Sequence, residues 1–319
     1  MSRIIALTGA TGFIGGTVTH RLRAANWQIR ALVRSTSSRD HLAGSGLRWI
    51  EGDLGDLESL RRLVQGADAV VHCAGAVRGA SAAHFTRVNS HGVARLVRAA
   101  TDQHPAPRFL LISSIAAREP HLSPYAASKR QGEGELAAGA GEMQWAVLRP
   151  PVVYGPGDKE LRPLFRWMYR GIAPVLGPAD GRFSMLYVED LAEAVVQWLA
   201  CGSARQRVFE LHDGQPDGYR WNDLANTMAR VKGGRVRQIR ISALLLALLA
   251  GINLIGARVA GYAPMLTPGK VRELRHPNWV CDNTLLSRET GWIPRVRLEE
   301  GLLRILKPDS RLTYEGEMG

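Results

Sequence analysis

Ile4-Ile5-Ala6-Leu7-Thr8-Gly9-Ala10-Thr11-Gly12-Phe13-Ile14-Gly15-Gly16 opens the chain and decides how the rest is read. A short apolar run, the pattern of a buried strand, ends in a glycine-rich turn. From Phe13 to Ala25 apolar residues recur at helical spacing (Phe13, Ile14, Val18, Leu22). Glycines in such a turn permit positive φ and let the backbone approach a ligand closely. The N-terminus of the following helix then offers unpaired N–H groups to an anion such as a pyrophosphate. Gly9, Thr11, Gly12, Phe13, Ile14 and Gly15 are therefore candidate phosphate-contacting residues. The spacing is G-x-x-G-x-x-G, distinct from the commoner G-x-G-x-x-G fingerprint.

Outward from this turn the pattern alternates. Strands are expected over Gln28–Val33, Arg48–Gly52, Ala67–Cys73, Phe109–Ile112 and Trp145–Leu148. Helices are expected over Asp56–Gln65, Ala82–Ala100 and Tyr125–Ala138. Alternation of this kind predicts an α/β fold, a doubly wound parallel sheet covered on both faces, because each parallel crossover needs a connecting helix. After Arg149-Pro150-Pro151 proline and glycine thicken, and a smaller, mostly helical lobe is expected. The expected division is a dinucleotide-binding domain over 1–150, a substrate lobe over 151–306 whose chain crosses back to the sheet, and a polar tail over 307–319. In the second part a helix is expected over Leu186–Ala200 and a strand over Val208–Leu211. At roughly 150 residues per domain, the 319 residues agree with two units.

Composition narrows the function classes. Hydrophobic residues make up 45% and charged residues 22%, which excludes a disordered chain, a fibre and a multi-span membrane protein. The 41 Lys+Arg against 29 Asp+Glu leave a formal net charge of +12. Nucleic acid, an anionic membrane surface and an anionic small molecule are the partners such an excess suits. No zinc-finger, basic-zipper or interleaved basic and aromatic motif supports nucleic acid. Three separated cysteines, Cys73, Cys201 and Cys281, form no C-x-x-C pair and predict neither a disulfide framework nor a zinc site. No secretory leader is read at the start, so a cytoplasmic location is expected.

The stretch TGATGFIGG, together with Ser113-Ser114 at the end of the fifth strand and Tyr125-Ala126-Ala127-Ser128-Lys129, resembles the extended or atypical branch of the short-chain dehydrogenase/reductase superfamily. The similarity runs to NAD-dependent epimerase/dehydratase-like proteins and to 3-beta-hydroxysteroid dehydrogenase-like members, and reaches about Leu306. It implies a Rossmann-type fold and an NAD(P)(H)-dependent oxidoreductase acting on an alcohol/ketone pair of a small, hydrophobic molecule. Ser114, Tyr125 and Lys129 are the implied catalytic residues. Tyr125 and Lys129 lie one helical turn apart and share a face. A neighbouring ammonium stabilises a phenolate, so Tyr125 can exchange a proton with a substrate oxygen while hydride moves at the nicotinamide. The resemblance further assigns Asp53 and Leu54 to the adenine, Ala74, Gly75 and Ala76 to the loop beneath the cofactor, Asn89 to the next helix, and Pro150 and Val152 to the nicotinamide end. The place of the carboxylate that grips a ribose 2′-OH in NAD-binding folds is held by Val33-Arg34. Arg34 suits a 2′-phosphate, so NADP(H) is expected, with NAD(H) the alternative. A homodimer is the family's habit.

Two departures bear on the reaction. The Thr-Asp-Glu of sugar 4,6-dehydratases is replaced by Ser114-Ile115-Ala116, which disfavours loss of water, and the span from Ser114 to Tyr125 is short for a sugar epimerase. A nucleotide-sugar epimerase with tightly held NAD, and a non-catalytic NADP-bound structural or sensor protein, are the alternatives. Tyr154 is read equally as a pocket residue and as a packed surface residue, and Asp190 as a helix cap or as a charge favouring the helix dipole. Last, residues 241–257 carry no charge and are bracketed by Arg240 and Arg258. Two readings stand for this run: a helix buried in the second lobe or walling the substrate pocket, taken first, and a helix in peripheral contact with an anionic membrane.

Overall fold

The computed structural model describes residues 3–44, 46–202 and 206–306. The first half builds β1 (Ile4–Thr8), α1 (Phe13–Ala24), β2 (Gln28–Val33), β3 (Arg48–Glu51), α2 (Leu57–Val64), β4 (Ala69–His72), α3 (Ala82–Asn89), α4 (His91–Thr101), β5 (Arg108–Ile112), α5 (Pro124–Gly139) and β6 (Trp145–Arg149). There follow β7 (Val152–Tyr154), α6 (Arg162–Tyr169), β8 (Ile172–Val175), β9 (Arg182–Phe183), β10 (Met185–Tyr187), α7 (Val188–Ala200) and β11 (Arg207–Glu210). The chain ends in α8 (Trp221–Lys232), β12 (Arg237–Arg240), α9 (Ala243–Ala260), α10 (Pro268–Leu274), β13 (Asn278–Trp279), α11 (Thr284–Thr290) and α12 (Leu298–Leu306).

Seven strands form one sheet in the order β11-β6-β5-β4-β1-β2-β3, and every pairing is parallel. Alternating side chains of each strand feed opposite faces. Ile5, Leu7, Leu110, Ile112, Ala146 and Leu148 join the core under α1 and α7, where Trp198 and Trp292 are also buried. Ala6, Phe109, Leu111, Trp145 and Val147 join the core under α2, α4 and α5. A sheet covered on both faces explains why its strands read as unbroken apolar runs. The order runs outward from β1 to β3 and then returns to β4 on the other side of β1. The carboxyl ends of β1 and β4 therefore flank a topological switch point, the place where open α/β sheets bind ligands.

Some expected elements differ in extent. The helix expected over Ala82–Ala100 is two helices broken at Ser90. A Cβ on Gly132 of α5 would lie 2.1 Å from the Asn89 carbonyl oxygen, so the break lets α5 come close to α3. The helix expected from Leu186 begins at Val188, because Met185–Tyr187 pair with Val152–Tyr154 as a two-stranded sheet. The expected 307–319 tail lies outside the described residues. The second lobe has its own core around Tyr154, Phe165, Tyr187, Met228 and Leu302.

One polar cluster ties β5, α5 and β6 together. Glu133 accepts from Arg149 Nε at 2.9 Å and from Ser113 Oγ at 2.6 Å. Both ionic side chains are nearly buried, and the Glu133 carboxylate raises the Arg149 guanidinium above its ordinary range. Removing one partner would leave an uncompensated buried charge. Glu133→Ala is expected to lower stability by about 3–5 kcal/mol, read as a fall in the urea midpoint. An unchanged midpoint would show that the pair is solvated.

Candidate active site

The turn after β1 has no room for side chains. Gly9 sits at φ 76°, and a Cβ there would lie 2.6 Å from the Ala74 nitrogen. A Cβ on Gly15 would lie 2.0 Å from the Gly9 carbonyl oxygen. Gly12 N–H closes the turn by donating to Gly9 O at 3.0 Å. Gly12 is also the N-cap of α1; it gives no side-chain cap, and the first turn of α1 holds no carboxylate. The N–H groups at Phe13 and Ile14 thus open a helix N-terminus to an anion. Backbone amides at a glycine cradle, next to the switch point, fit the pyrophosphate of a nicotinamide dinucleotide.

The loop after β4 lies against this cradle. Asn89 clamps it: Ala76 N–H donates to Asn89 Oδ1 at 2.8 Å, and Asn89 Nδ2 donates to Ala76 O at 3.0 Å and to Ser128 Oγ at 2.9 Å. Gly75 is constrained by space, since a Cβ there would lie 3.1 Å from Asn89 Oδ1 and 3.3 Å from Lys129 Nζ. Thr8 Oγ1 and His72 Nδ1 are hydrogen-bonded at 2.6 Å. Burial, with the Lys129 charge adding, holds the His72 imidazole down at about 3, so it is neutral and structural.

α5 carries the candidate acid–base pair, Tyr125 and Lys129. Ser123 caps it, accepting from Ala126 N–H at 2.9 Å. Two residues on, the half-buried Tyr125 ring meets Phe85 edge to face, with centroids 6.0 Å apart. Ser114 is the serine that lowers its hydroxyl toward the ordinary range, whereas Ser113 is committed to Glu133. Burial raises the Tyr125 hydroxyl above its ordinary value and the Ser114 hydrogen bond partly offsets this; the phenol is protonated at neutral pH. Lys129 Nζ donates to the Ile112 carbonyl at 2.9 Å. Burial lowers its ammonium to about 8, with Glu133 and Cys73 opposing. Pro150 is drawn to this end of the sheet, because Ile115 N–H donates to its carbonyl at 2.9 Å. Val152 begins β7 and pairs with Met185.

Arg34 is exposed just beyond β2. Arg39 leans over Trp49 at 5.6 Å and lies 3.9 Å from the Glu51 carboxylate. Asp53 Oδ1 accepts from Gly55 N–H at 2.5 Å, and Leu54 packs on Gly92 at the edge of the α2–α4 core. These residues stand at the β2–β3 end, away from Tyr125.

Sequence reading missed the cation whose charge bears on the tyrosine. Lys270, from α10 in the second lobe, donates to Glu273 Oε2 at 2.9 Å. Glu273 also accepts from Ser123 Oγ. The Lys270 charge bears on Tyr125, favouring its phenolate. No spacing could announce this, since Lys270 and Tyr125 belong to different lobes. Glu133 was missed as well, although its place one turn beyond Lys129 on the same helix was a signal that could have found it. Two readings are corrected. Tyr154 is neither pocket-lining nor superficial: it is fully buried against Phe165 and Tyr187. Asp190 does not cap α7; it accepts from Arg295 and Val296 N–H at 3.0 and 2.8 Å, pinning a distant loop.

The profile of the NAD dependent epimerase/dehydratase family matches residues 5–210. A ceramide reductase of Caulobacter vibrioides is 37% identical over 319 aligned positions, covering 92% of this chain and 96% of that protein. A 2-alkyl-3-oxoalkanoate reductase of Stenotrophomonas maltophilia is 28% identical, covering 94% and 98%. Among solved structures, a Streptomyces venezuelae dTDP-glucose 4,6-dehydratase with NAD bound superposes with a TM-score of 0.74 at 22% identity, covering 96% of each chain. The chain belongs to the NAD-dependent epimerase/dehydratase family, within the extended short-chain dehydrogenases/reductases, and is an NAD(P)-dependent oxidoreductase.

Gly15→Ala is expected to abolish dinucleotide binding, measured by fluorescence titration, because its methyl group collides with backbone that cannot retreat. Tyr125→Phe is expected to cut kcat by about 10²–10⁴-fold, the usual contribution of a positioned acid, and to leave dinucleotide affinity within twofold. For carbonyl reduction both Tyr125 and Lys129 are needed in their protonated forms. The rate is therefore level below pH 8 and falls as pH rises through the Lys129 value of about 8. A pH profile that instead climbs with pH in this range contradicts the assignment.

Proposed function

We propose that this protein uses NADPH to reduce a ketone on a lipid-like molecule, of the kind named in its ceramide and 2-alkyl-3-oxoalkanoate reductase relatives. The observation that carries the reading is the protonated Tyr125 hydroxyl, held by Ser114 and set against Phe85. A buried neutral phenol is a proton donor, which is what a carbonyl oxygen requires as it becomes an alkoxide. The bound dinucleotide supplies hydride; Tyr125 supplies the proton, Ser114 fixes the oxygen, and Lys129 holds positive charge behind them. Water loss has no acid–base partner here, because the residues after Ser114 are the buried Ile115, Ala116 and Ala117.

Apolar groups at the rim favour a hydrophobic substrate over a sugar nucleotide. Val77 stands exposed on the loop after β4, and Gly79 N–H of that loop donates to Pro264 O of the second lobe. Preference for NADPH is supported at Arg34: no carboxylate follows Val33, and Glu51 is matched by Arg39. A 2′-phosphate held by Arg34 gains a charge-assisted hydrogen bond worth about 1.5–3 kcal/mol.

The test is steady-state kinetics with a long-chain 3-oxo amide or ester and NADPH. Stoichiometric cofactor consumption with formation of the alcohol is expected. Interconversion of nucleotide sugars with tightly held NAD and no net consumption would identify an epimerase instead. Arg34→Ala is expected to raise the KM for NADPH roughly 10- to 150-fold and to leave the KM for NADH within twofold. Equal changes for both cofactors would remove the 2′-phosphate role.

A further inference from the structure

α9 is the one described helix long and apolar enough to cross a membrane, with a mean hydropathy of 2.0, yet only 17% of it is buried. The expectation of a buried helix is thereby overturned. Only Leu246, Ala250 and Ala257 are buried. Leu246 and Ala250 pack, with Leu176, Ile241 and Leu266 beside them, on Val271 of α10. At about 100° per residue, Leu244, Leu248, Ile252, Ile255 and Val259 form one stripe on the opposite side. These five are 81, 58, 59, 65 and 86% exposed. Leu245 and Leu249 widen the stripe. An apolar face this continuous does not stay in water on an ordinary soluble surface.

Charge identifies what covers it. From residue 224 to residue 272 there is no Asp or Glu, while Arg230, Lys232, Arg235, Arg237, Arg240, Arg258, Lys270 and Arg272 are all basic. Arg230 pairs with Glu299 and Lys270 with Glu273. Arg235, Arg237, Arg240 and Arg258 join no ion pair among the described residues, and they stand at both ends of the apolar stripe. A second copy of the chain laid on this face, parallel or antiparallel, would set arginine against arginine at each end. Anionic lipid headgroups instead meet cations while the stripe enters the acyl boundary. A span is disfavoured by the packing: Asn253 Nδ2 donates to the Leu266 carbonyl at 2.8 Å, and the Leu246–Ala250 side packs on Val271. The helix therefore lies along the protein rather than projecting from it.

We propose that α9 docks the protein side-on to an anionic phospholipid bilayer. Building on the lipid-ketone reading, this docking sets the active-site mouth against the bilayer. α10 carries Val271 against α9 and the adjacent Lys270 toward Tyr125, and the loop after α9 touches the loop bearing Val77. A long-chain substrate then passes from the acyl layer to Tyr125 without crossing water.

The experiment sediments the full chain with vesicles of phosphatidylglycerol and phosphatidylcholine in equal parts, and with vesicles of phosphatidylcholine alone, across a salt series. Reduction of a short, water-soluble 3-oxo ester is measured in parallel without vesicles. The wild type is expected to pellet with the anionic vesicles at least tenfold more tightly than with the neutral ones, and to be released by salt. Leu248→Glu combined with Ile255→Glu is expected to lose at least tenfold in vesicle affinity and to keep the soluble activity. Arg240→Gln combined with Arg258→Gln, which leaves the apolar face intact, is expected to weaken anionic binding alone. The proposal is overturned if the wild type ignores anionic vesicles, or if the Leu248/Ile255 variant binds them unchanged. It is also overturned if that variant converts a vesicle-indifferent dimer to a monomer, or if the protein resists release by both salt and alkali as a spanning protein would. Failure of the soluble reaction with intact vesicle binding would count against the reductase reading and leave the docking standing.

Discussion

The close approach of Gly9 and Gly15 governs the site. A Cβ on Gly15 would lie 2.0 Å from the Gly9 carbonyl oxygen, and one on Gly9 would lie 2.6 Å from the Ala74 nitrogen. Three backbone segments thus meet where a side chain would force them apart: the end of β1, the start of α1 and the loop after β4. Their contact brings the N-terminus of α1 to the switch point between β1 and β4. Everything downstream is referenced to that spot. Asn89 holds Ala76 beneath it, and through Ser128 it joins the same loop to the helix that bears Tyr125 and Lys129.

The helix α5, which bears the candidate pair Tyr125 and Lys129, is fixed from two directions. Glu133, one turn beyond Lys129, is bound to Arg149 and Ser113 and locks α5 to the strands β5 and β6. At the other end, Ser123 bonds Glu273, itself paired with Lys270, and locks the helix start to the second lobe. The two buried carboxylates do opposite work on charge. Glu133 favours the Lys129 ammonium against its burial. Glu273 restrains the effect of Lys270 on Tyr125 and helps keep the phenol protonated. That state suits proton donation, and hence reduction.

Most of the fold was legible because each element repeats one physical rule. Strands buried on both faces read as apolar runs, and helices covering them read at 3.6-residue spacing. β1 to β6, with α1, α2 and α5 between them, fall within a few residues of expectation. Reading failed where a tertiary contact overrides a local pattern. The helix through Ser90 breaks to admit Gly132; Leu186 and Tyr187 are helical by pattern and strand by pairing; Tyr154 is polar by type and core by position. In the site, the local motifs around Gly9–Gly15 and Tyr125–Lys129 carried their own signal. Lys270 and Glu273 carried none, since their meaning depends on a neighbour about 150 residues away in sequence.

The uncharged run around α9 divides these two kinds of information most clearly. By itself the sequence determined its composition: apolar throughout, without a carboxylate from 224 to 272 and with arginines at its borders. A core helix and a surface helix can share that composition, because hydropathy records what a residue prefers and not whether a partner is within reach. Only the tertiary structure decided the matter. The second lobe offers α9 the narrow surface around Val271, enough to cover one side. The remaining apolar side, with the cations at its ends, faces outward because, among the described residues, no other element is placed to cover it.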